Sequence, residues 1–356
     1  MPCPGTQDQW RPEDCEKKST VRVVYARFDR MLFRVFVRLV IIAAFLLPAD
    51  NSYSVRGEHF AFQNPAKQAP AQVGTIRINT SLVLVPVSVT DASGHAVKHL
   101  QLEDFTVVEN GSPVTLEHLG EPGLTKLEMV LVFDVTGSTR PRFDFEQQAA
   151  TSFLKSLFRA RDAVSILCIA SKPKILLERT ESLIEALDGL GQLQPSGAAT
   201  AFFDSILAAT QLFRGPTDPD TRRVMVVLSD GEDNFSAMKL ADALRGVQLA
   251  DCIFYSINPG GPSIRLNKVS LRGQQGMESL AEQTGGAAFL AEKLQDLGNI
   301  YGRIAAELQA QYLLSYYSPD PKADGSFRSI AVKVPDQPEL RVRSRQGYYA
   351  SKTVSR

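Results

Sequence analysis

Four continuous runs of apolar residues in the middle and later part of the chain constrain the fold more than any other feature. They are LEMVLVFDV from Leu127, AVSILCIA from Ala163, VMVVLS from Val224 and CIFYSI from Cys252. Runs of this kind are typical of parallel strands that are buried on both faces. Segments with helical spacing alternate with them, so the sequence predicts a doubly wound, mostly parallel α/β sheet between about residues 126 and 292, closed by a helix over 294–310.

Two β-rich segments flank this region. Residues 76–119 contain the β-branched run TSLVLVPVSV and an Asn110-Gly111 hairpin signal, and residues 311–349 contain three further strand-type runs. Each segment is too small to bury a good core alone. We therefore predict that they pair into one β-sandwich, with the α/β domain inserted between its halves. The alternatives are two independent β units, or a tail packed on the edge of the α/β sheet.

The N-terminal region has the features of an export signal. Residues 31–49 read MLFRVFVRLVIIAAFLLPA, with a basic flank at Arg34 and Arg38 and an apolar run too short to span a bilayer comfortably. We interpret Met31 as the true start and predict an exported protein that is periplasmic, secreted or at the cell surface. If the signal stays uncleaved, it becomes a membrane anchor.

The predicted organisation follows from these segments. Its parts are an extension with signal or anchor (1–55), a proline-containing linker (56–75), a β segment (76–120), the α/β domain (126–310) and a C-terminal β segment (311–350).

Composition excludes several function classes. The 39 basic and 39 acidic residues cancel, so no net field favours nucleic acid or an anionic membrane. All four histidines precede residue 119, which excludes histidine-based triads and histidine-ligated zinc from the α/β region. The phosphate-binding and nucleophile-elbow glycine motifs do not occur. We therefore predict a protein that is not an enzyme.

Oxygen-bearing side chains follow two of the predicted strands. Asp134, Thr136 and Ser138 come directly after the first strand, Asp230 follows VMVVLS, and Thr200 lies in a turn that opens a helix. The two strand ends flank the position where a doubly wound sheet collects ligands. A donor set made only of oxygen suits a hard cation such as Mg²⁺.

These residues resemble the metal-ion-dependent adhesion site of von Willebrand factor A domains. Together with LVLVPVSVTDASGHAV, LEDFTVVENG, LSDGEDN, ELQAQYLLSYYSP and RSRQGYYA, they resemble the acidobacterial von Willebrand factor A-related family over about residues 76–350. The resemblance implies that Thr136 and Ser138 bind the metal directly, that Thr200 does so when a ligand is bound, and that Asp134 and Asp230 act mainly through water. Thr136 departs from the serine that most such sites carry, and Ser-Gly-Ala-Ala precedes Thr200 instead of Gly-Gly.

The resemblance predicts a module that binds protein through Mg²⁺ (or Mn²⁺ or Ca²⁺). If both aspartates stay in the outer shell, the cation remains electrophilic and binds an acidic side chain of a partner. The alternatives are a structural envelope subunit that does not need the metal and a hydrolase that uses the metal to polarise a carbonyl.

Two further groups of charged residues are interpreted as solvated surfaces and not as binding sites. Glu232 and Asp233 extend the carboxylate cluster, but a solvated loop is favoured over a second cation site. Arg341, Arg343 and Arg345 alternate along one predicted strand, and a solvated face is favoured over an anion-binding surface.

Overall fold

The computed structural model describes residues 82–120, 125–136, 143–197, 199–213, 215, 220–261 and 267–350. The predicted extension, signal and linker, residues 1–75, lie outside these ranges. Within them, no helix is both long and apolar enough to cross a bilayer.

The strands, numbered in chain order, are β1 (Leu82–Thr90), β2 (Thr106–Glu109), β3 (Ser112–Val114), β4 (Leu116–Gly120), β5 (Lys126–Asp134), β6 (Ala163–Ile169), β7 (Lys174–Thr180), β8 (Thr221–Leu228), β9 (Cys252–Asn258), β10 (Ala288–Leu290), β11 (Tyr312–Tyr317), β12 (Phe327–Lys333), β13 (Arg341–Ser344) and β14 (Gly347–Tyr349). The α-helices are α1 (Phe143–Leu157), α2 (Leu183–Gly191), α3 (Phe202–Thr210), α4 (Leu240–Leu249), α5 (Lys268–Thr284) and α6 (Asp296–Ala310). A short 3₁₀ turn covers Leu102–Asp104.

A six-stranded sheet in the order β10-β9-β8-β5-β6-β7 forms the centre of the α/β domain. Its strands run parallel except β7, which is antiparallel to β6. The predicted doubly wound sheet is confirmed. The chain proceeds from β5 to β6 on one side and later from β8 to β9 on the other, so the switch point lies between β5 and β8.

Helices cover both faces of this sheet, which explains the continuous apolar runs. Alternate residues of β5 point to opposite sides: Met129 and Leu131 pack in a core with α1, α2 and α6, whereas Val130 and Val132 pack with α3, α4 and α5. All of them are buried. A strand with two buried faces therefore shows no polar alternation in sequence.

The two β segments pair with each other, as predicted. One four-stranded sheet has the order β13-β1-β11-β4 and the other β14-β12-β2-β3, so each combines strands from before and after the α/β domain. Strand β1 pairs with β11 from Leu82 opposite Tyr317 to Val87 opposite Tyr312. A separate apolar core lies among these strands and includes Val85 and Leu314. The α/β domain is thus inserted in a β-sandwich.

Local signals account for several turns and helix ends. Asn110 and Gly111 both have positive φ (47° and 84°), as the Asn-Gly hairpin between β2 and β3 requires. Asn267 caps α5, with its side chain accepting from the backbone N–H of Val269 at 2.9 Å. Gly285 ends the same helix in the left-handed conformation, at φ 86°.

Candidate metal site

Asp134 lies at the end of β5, at the switch point, and only 1% of its surface is exposed. Its Oδ1 accepts hydrogen bonds from the Thr136 backbone N–H at 3.0 Å and from the Thr136 hydroxyl at 2.6 Å. Its Oδ2 accepts from the Ser229 hydroxyl at 2.7 Å. Three donors therefore fix the orientation of this carboxylate and join the ends of β5 and β8.

Burial raises the pKa of the Asp134 carboxyl above its usual value. The hydrogen bonds from Thr136 and Ser229 lower it in part, and the negative charge of Asp230 raises it again. Asp230 itself is only partly buried. Neighbouring carboxylates repel each other, and a cation bound beside them would relieve that repulsion.

The loop before α3 brings Thr200 to Thr136. The Thr200 hydroxyl donates to the Thr136 hydroxyl oxygen at 3.2 Å, and both residues are buried. Asn234 holds this loop from the segment after β8: its side-chain oxygen accepts from the Thr200 N–H at 2.9 Å, and its own N–H donates to the Thr200 carbonyl at 3.0 Å. These bonds position Thr200 although Gly-Gly does not precede it.

Asp230 stands two residues beyond β8. Its Oδ1 accepts from the Glu232 N–H at 3.0 Å, which shapes the turn, and its backbone carbonyl accepts from the Asn258 side chain at 3.4 Å. The structure therefore brings together Asp134, Thr136, Thr200 and Asp230. Ser138, the fifth predicted site residue, lies outside the described residues.

Sequence reasoning missed three polar residues around the site, namely Ser229, Asn234 and Asn258. Ser229 orients Asp134 and also accepts from the Gly231 N–H at 3.0 Å. The signal for Ser229 was its position at the strand end, directly before Asp230. Asn258 lies at the end of β9. Its hydrogen bond to the Asp230 carbonyl depends on β9 lying next to β8, and the local sequence does not predict that strand order.

The donor set fits a hard divalent cation. Hydroxyl and carboxylate oxygens converge here, and no group of three or more histidine, cysteine or acidic side chains suited to a metal occurs in the described ranges. Nearby, the Ser196 hydroxyl oxygen is buried without a hydrogen-bond partner, while its N–H donates to the Val135 carbonyl at 2.5 Å. It is one more oxygen of the right chemistry beside the site.

The carboxylates of Glu232 and Asp233 accept hydrogen bonds from neighbouring parts of the α/β domain. The Glu232 carboxylate accepts a hydrogen bond from the Ser270 hydroxyl on α5. Asp233 accepts from the Phe202 N–H at 2.8 Å, at the start of α3, and from the Ser236 hydroxyl at 2.6 Å. Both side chains are only partly exposed and have hydrogen-bond partners, unlike the side chains of the solvated loop predicted from sequence.

A close approach of two backbones holds the Asp230 loop in place. Gly231 has φ 73°, and a Cβ on Gly273 of α5 would lie 2.6 Å from the Gly231 carbonyl carbon and 2.8 Å from the Asp230 carbonyl oxygen. Distances this short leave no room for a methyl group, so the glycine pair allows α5 to touch the site loop.

We expect Gly273→Ala to destabilise the protein by about 3 kcal/mol and to weaken metal binding, because the helix or the Asp230 loop has to move. Chemical denaturation and metal titration would measure the two effects. Gly276→Ala, on the same helix, is the matched control. Its Cβ would meet no atom closer than 3.8 Å, so it should gain about 0.5–1 kcal/mol from helix propensity. Equal stabilities for the two variants would contradict the close-packing argument.

Comparison with known proteins agrees with this topology. Residues 129–232 match the family model of the von Willebrand factor type A domain, and the chain contains a domain of this type. The match includes Asp134, Thr136, Thr200 and Asp230. No curated protein matches the chain significantly.

Solved structures resemble parts of the chain at low identity. The protein BatB from Bacteroides thetaiotaomicron is 17% identical, with 50% of this chain and 97% of that one covered and a TM-score of 0.41. A von Willebrand factor type A protein from Catenulispora acidiphila is 14% identical over 65% of this chain and 50% of that one, with a TM-score of 0.42. Proximal thread matrix protein 1 from the mussel byssus, with a zinc-occupied MIDAS motif, is 12% identical over 52% and 48%, with a TM-score of 0.41.

Proposed function

We propose that this protein is an exported, metal-dependent protein-binding module that has no catalytic role. Mg²⁺ (or Mn²⁺ or Ca²⁺) at the switch point of the sheet captures an acidic side chain of a partner protein. Von Willebrand factor type A domains are in general protein-interaction modules. The observation that carries the proposal is the buried Asp134 carboxylate, bonded to Thr136 and influenced by Asp230, with the Thr200 hydroxyl 3.2 Å from that of Thr136.

The site residues fall into direct ligands and residues that act through water. Thr136, Ser138 and Thr200 would hold the metal through their hydroxyl oxygens, and Asp134 and Asp230 would act mainly through water. The bound cation would supply an electrophilic position for a carboxylate oxygen. Asp134 orients the Thr136 hydroxyl by accepting a hydrogen bond from it, so the lone pairs of that oxygen point away from Asp134.

The α/β domain offers little for general acid–base chemistry, which favours binding over catalysis. Histidine, the commonest base at neutral pH, does not occur after His118 in the sequence. Export rests on the apolar segment of residues 31–49, and a membrane tether would come only from that segment if it stays uncleaved.

Apolar side chains beside the site suit a protein ligand. Phe235 is 58% exposed although its backbone N–H is fixed to the Thr200 carbonyl at 3.1 Å. Met238, three residues later, is also exposed. A large aromatic held at the surface next to a metal site is typical of a contact surface. We propose that Phe235 packs against the partner beside its acidic residue.

The test is capture of envelope proteins on the immobilised full-length chain, with Mg²⁺ and then with chelator. We expect retention with Mg²⁺, release by chelator, and no retention by Asp134→Ala. Phe235→Ser should bind metal as the wild type does but retain at least about tenfold less partner. A partner held equally with and without metal would favour the structural-subunit alternative and contradict the proposal.

A further inference from the structure

A cavity of about 240 Å³ lies where the β-sandwich meets the end of the α/β sheet that is opposite the metal site. The α/β domain contributes the start of β8, at Arg222 and Arg223, and the start of β9. The sandwich contributes β1 and the region of β14. Asp230 follows the other end of β8, so roughly 25 Å of strand separates the two places.

One wall of this cavity is apolar. Val83, Val85 and Val87 of β1 pack in the sandwich core. The alternate residues Leu84 and Pro86 therefore point to the other face of the sheet, and both line the cavity. This second environment explains why β1 is apolar at nearly every position. Leu313 and Tyr348 extend the apolar wall.

The opposite wall is rich in guanidinium groups. Arg222, Arg223, Arg328 and Arg345 line the cavity, together with a single acidic side chain, that of Asp251. The lining thus carries four guanidinium groups and one carboxylate, an excess of positive charge that suits an anion.

Arg222 has the least local compensation for its charge. It is 3% exposed, and its hydrogen bonds go to two neutral acceptors, the Leu308 carbonyl at 2.7 Å and the Gln311 side chain at 3.1 Å. Burial lowers the pKa of Arg222 to about 10. A guanidinium buried in this way is stabilised by any anion that reaches it.

Arg328 and Arg345 are held in place by other contacts, which leaves their geometry preorganised. Arg328 is 1% exposed, with one terminal nitrogen bonded to the Ser318 hydroxyl and the Asp320 carbonyl, both at 2.7 Å. Arg345 pairs with Asp251 at 2.6 Å and lies 5.4 Å from the centre of the Tyr348 ring.

The sequence interpretation of Arg343 and Arg345 as a solvated face is therefore wrong: Arg343 pairs with Glu307, and Arg345 lines this cavity.

We propose that this cavity binds a small organic anion, with its charged group on the arginine wall and its apolar body against Leu84, Leu313 and Tyr348. The volume lies just below the roughly 300–1,000 Å³ of common small-molecule sites, which limits the ligand to a modest size. The site is independent of the metal and of the partner surface at the other end of β8.

The probes are octanoate, which combines both features, inorganic phosphate, which has only charge, and octanol, which has only an apolar body. Calorimetric titration and thermal unfolding of the full-length chain would measure binding. We expect octanoate to bind and to raise the unfolding temperature, with phosphate and octanol at least about tenfold weaker.

Four variants test whether octanoate binds in this cavity. Arg345→Gln should weaken octanoate binding about tenfold or more, whereas Asp251→Asn, which breaks the same ion pair but leaves the guanidinium, should bind at least as tightly as the wild type. Leu84→Trp fills the cavity and should abolish binding. Arg341→Gln is the matched control because Arg341 is exposed and does not line the cavity.

The outcomes are distinguishable from those of the metal site. Asp134→Ala should bind octanoate as the wild type does, whatever its metal affinity. Failure of octanoate to bind, equal binding of octanol, equal binding of phosphate, or unchanged binding by Leu84→Trp and Arg345→Gln would each overturn the proposal.

Discussion

Replacing Asp134 with alanine is expected to lower the affinity for Mg²⁺ or Mn²⁺ by about a hundredfold while the fold stays intact. Alanine removes the acceptor that orients the Thr136 hydroxyl and the negative charge that would face the proposed cation. Calorimetric titration would measure the affinity and circular dichroism the fold. The loss therefore reports on the site and not on the core.

The expected loss of folding stability is smaller than the loss of metal-binding free energy, which is about 2.8 kcal/mol for a hundredfold change in affinity. The variant leaves the hydroxyls of Thr136 and Ser229 without their acceptor, which costs free energy, but it also removes a buried carboxylate whose pKa is raised by burial. The two effects partly cancel, so we expect a net loss of about 1–2 kcal/mol in the absence of metal. Chemical denaturation would measure it.

Two controls sharpen this prediction. Asp134→Asn keeps the size of the side chain and one carbonyl oxygen that can accept two hydrogen bonds, but it removes the charge. It should therefore also lose metal affinity, with a smaller loss of stability than Asp134→Ala. Asp188→Asn removes an exposed charge on α2, away from the strand ends, and should bind metal as the wild type does. Equal titration curves for Asp134→Ala and wild type would refute the assignment of the metal site.

The positions of the site residues were largely predictable because strand ends are visible in the sequence. Asp134 ends a continuous apolar run, Asp230 lies directly after another, and the carboxyl ends of parallel strands meet at one edge. The contacts that fix them were not predictable. Asn234 holds Thr200 across 34 residues of chain, and such pairing between loops leaves no local pattern.

The elements that sequence reasoning missed have weak local signals. Strand β7 lies at the edge of the sheet and is mostly exposed, so its run KILLERT lacks the apolar continuity of its neighbours. Helix α2 has nine residues and buries only Ala186, Gly189 and Leu190. The first half of helix α5, residues 268–276, is mostly polar and therefore lacks the apolar spacing that indicates a packed helix. Short or exposed elements are therefore harder to predict from hydrophobic periodicity than buried strands are.

A buried carboxylate joins the α/β domain to the sandwich. Glu307 on α6 accepts from the Ser88 hydroxyl of β1 at 2.8 Å and from the Tyr255 hydroxyl of β9 at 2.6 Å, and it pairs with Arg343 of β13. Burial and the charge of Glu307 raise the pKa of Tyr255 far above its usual range, so that hydroxyl stays a donor. The helix that closes the α/β domain is thus bonded to strands from both halves of the sandwich.

Deleting residues 311–356 is expected to abolish the amide protection of β1. That strand lies between β11 and β13, so the deletion removes both of its hydrogen-bonding neighbours. It also removes Tyr312, Leu314 and Tyr316 from the sandwich core, where they are almost fully buried. Of the other remaining strands, β4 loses its neighbour β11, and β2 and β3 form at most a short hairpin, which is marginal in water. Hydrogen exchange followed by mass spectrometry would measure the protection of residues 82–90.

The central sheet is the internal control for this deletion. Strand β6 packs in the α/β cores and pairs with β5 and β7, none of which the deletion touches. Protection of Ala163–Ile169 should therefore survive, with stability lowered by the loss of Arg343 beside Glu307. Loss of protection in β1 alone means that the sandwich depends on both ends of the chain. If β1 stays protected in the truncated chain, residues 76–120 form a stable unit alone and the composite sandwich is wrong.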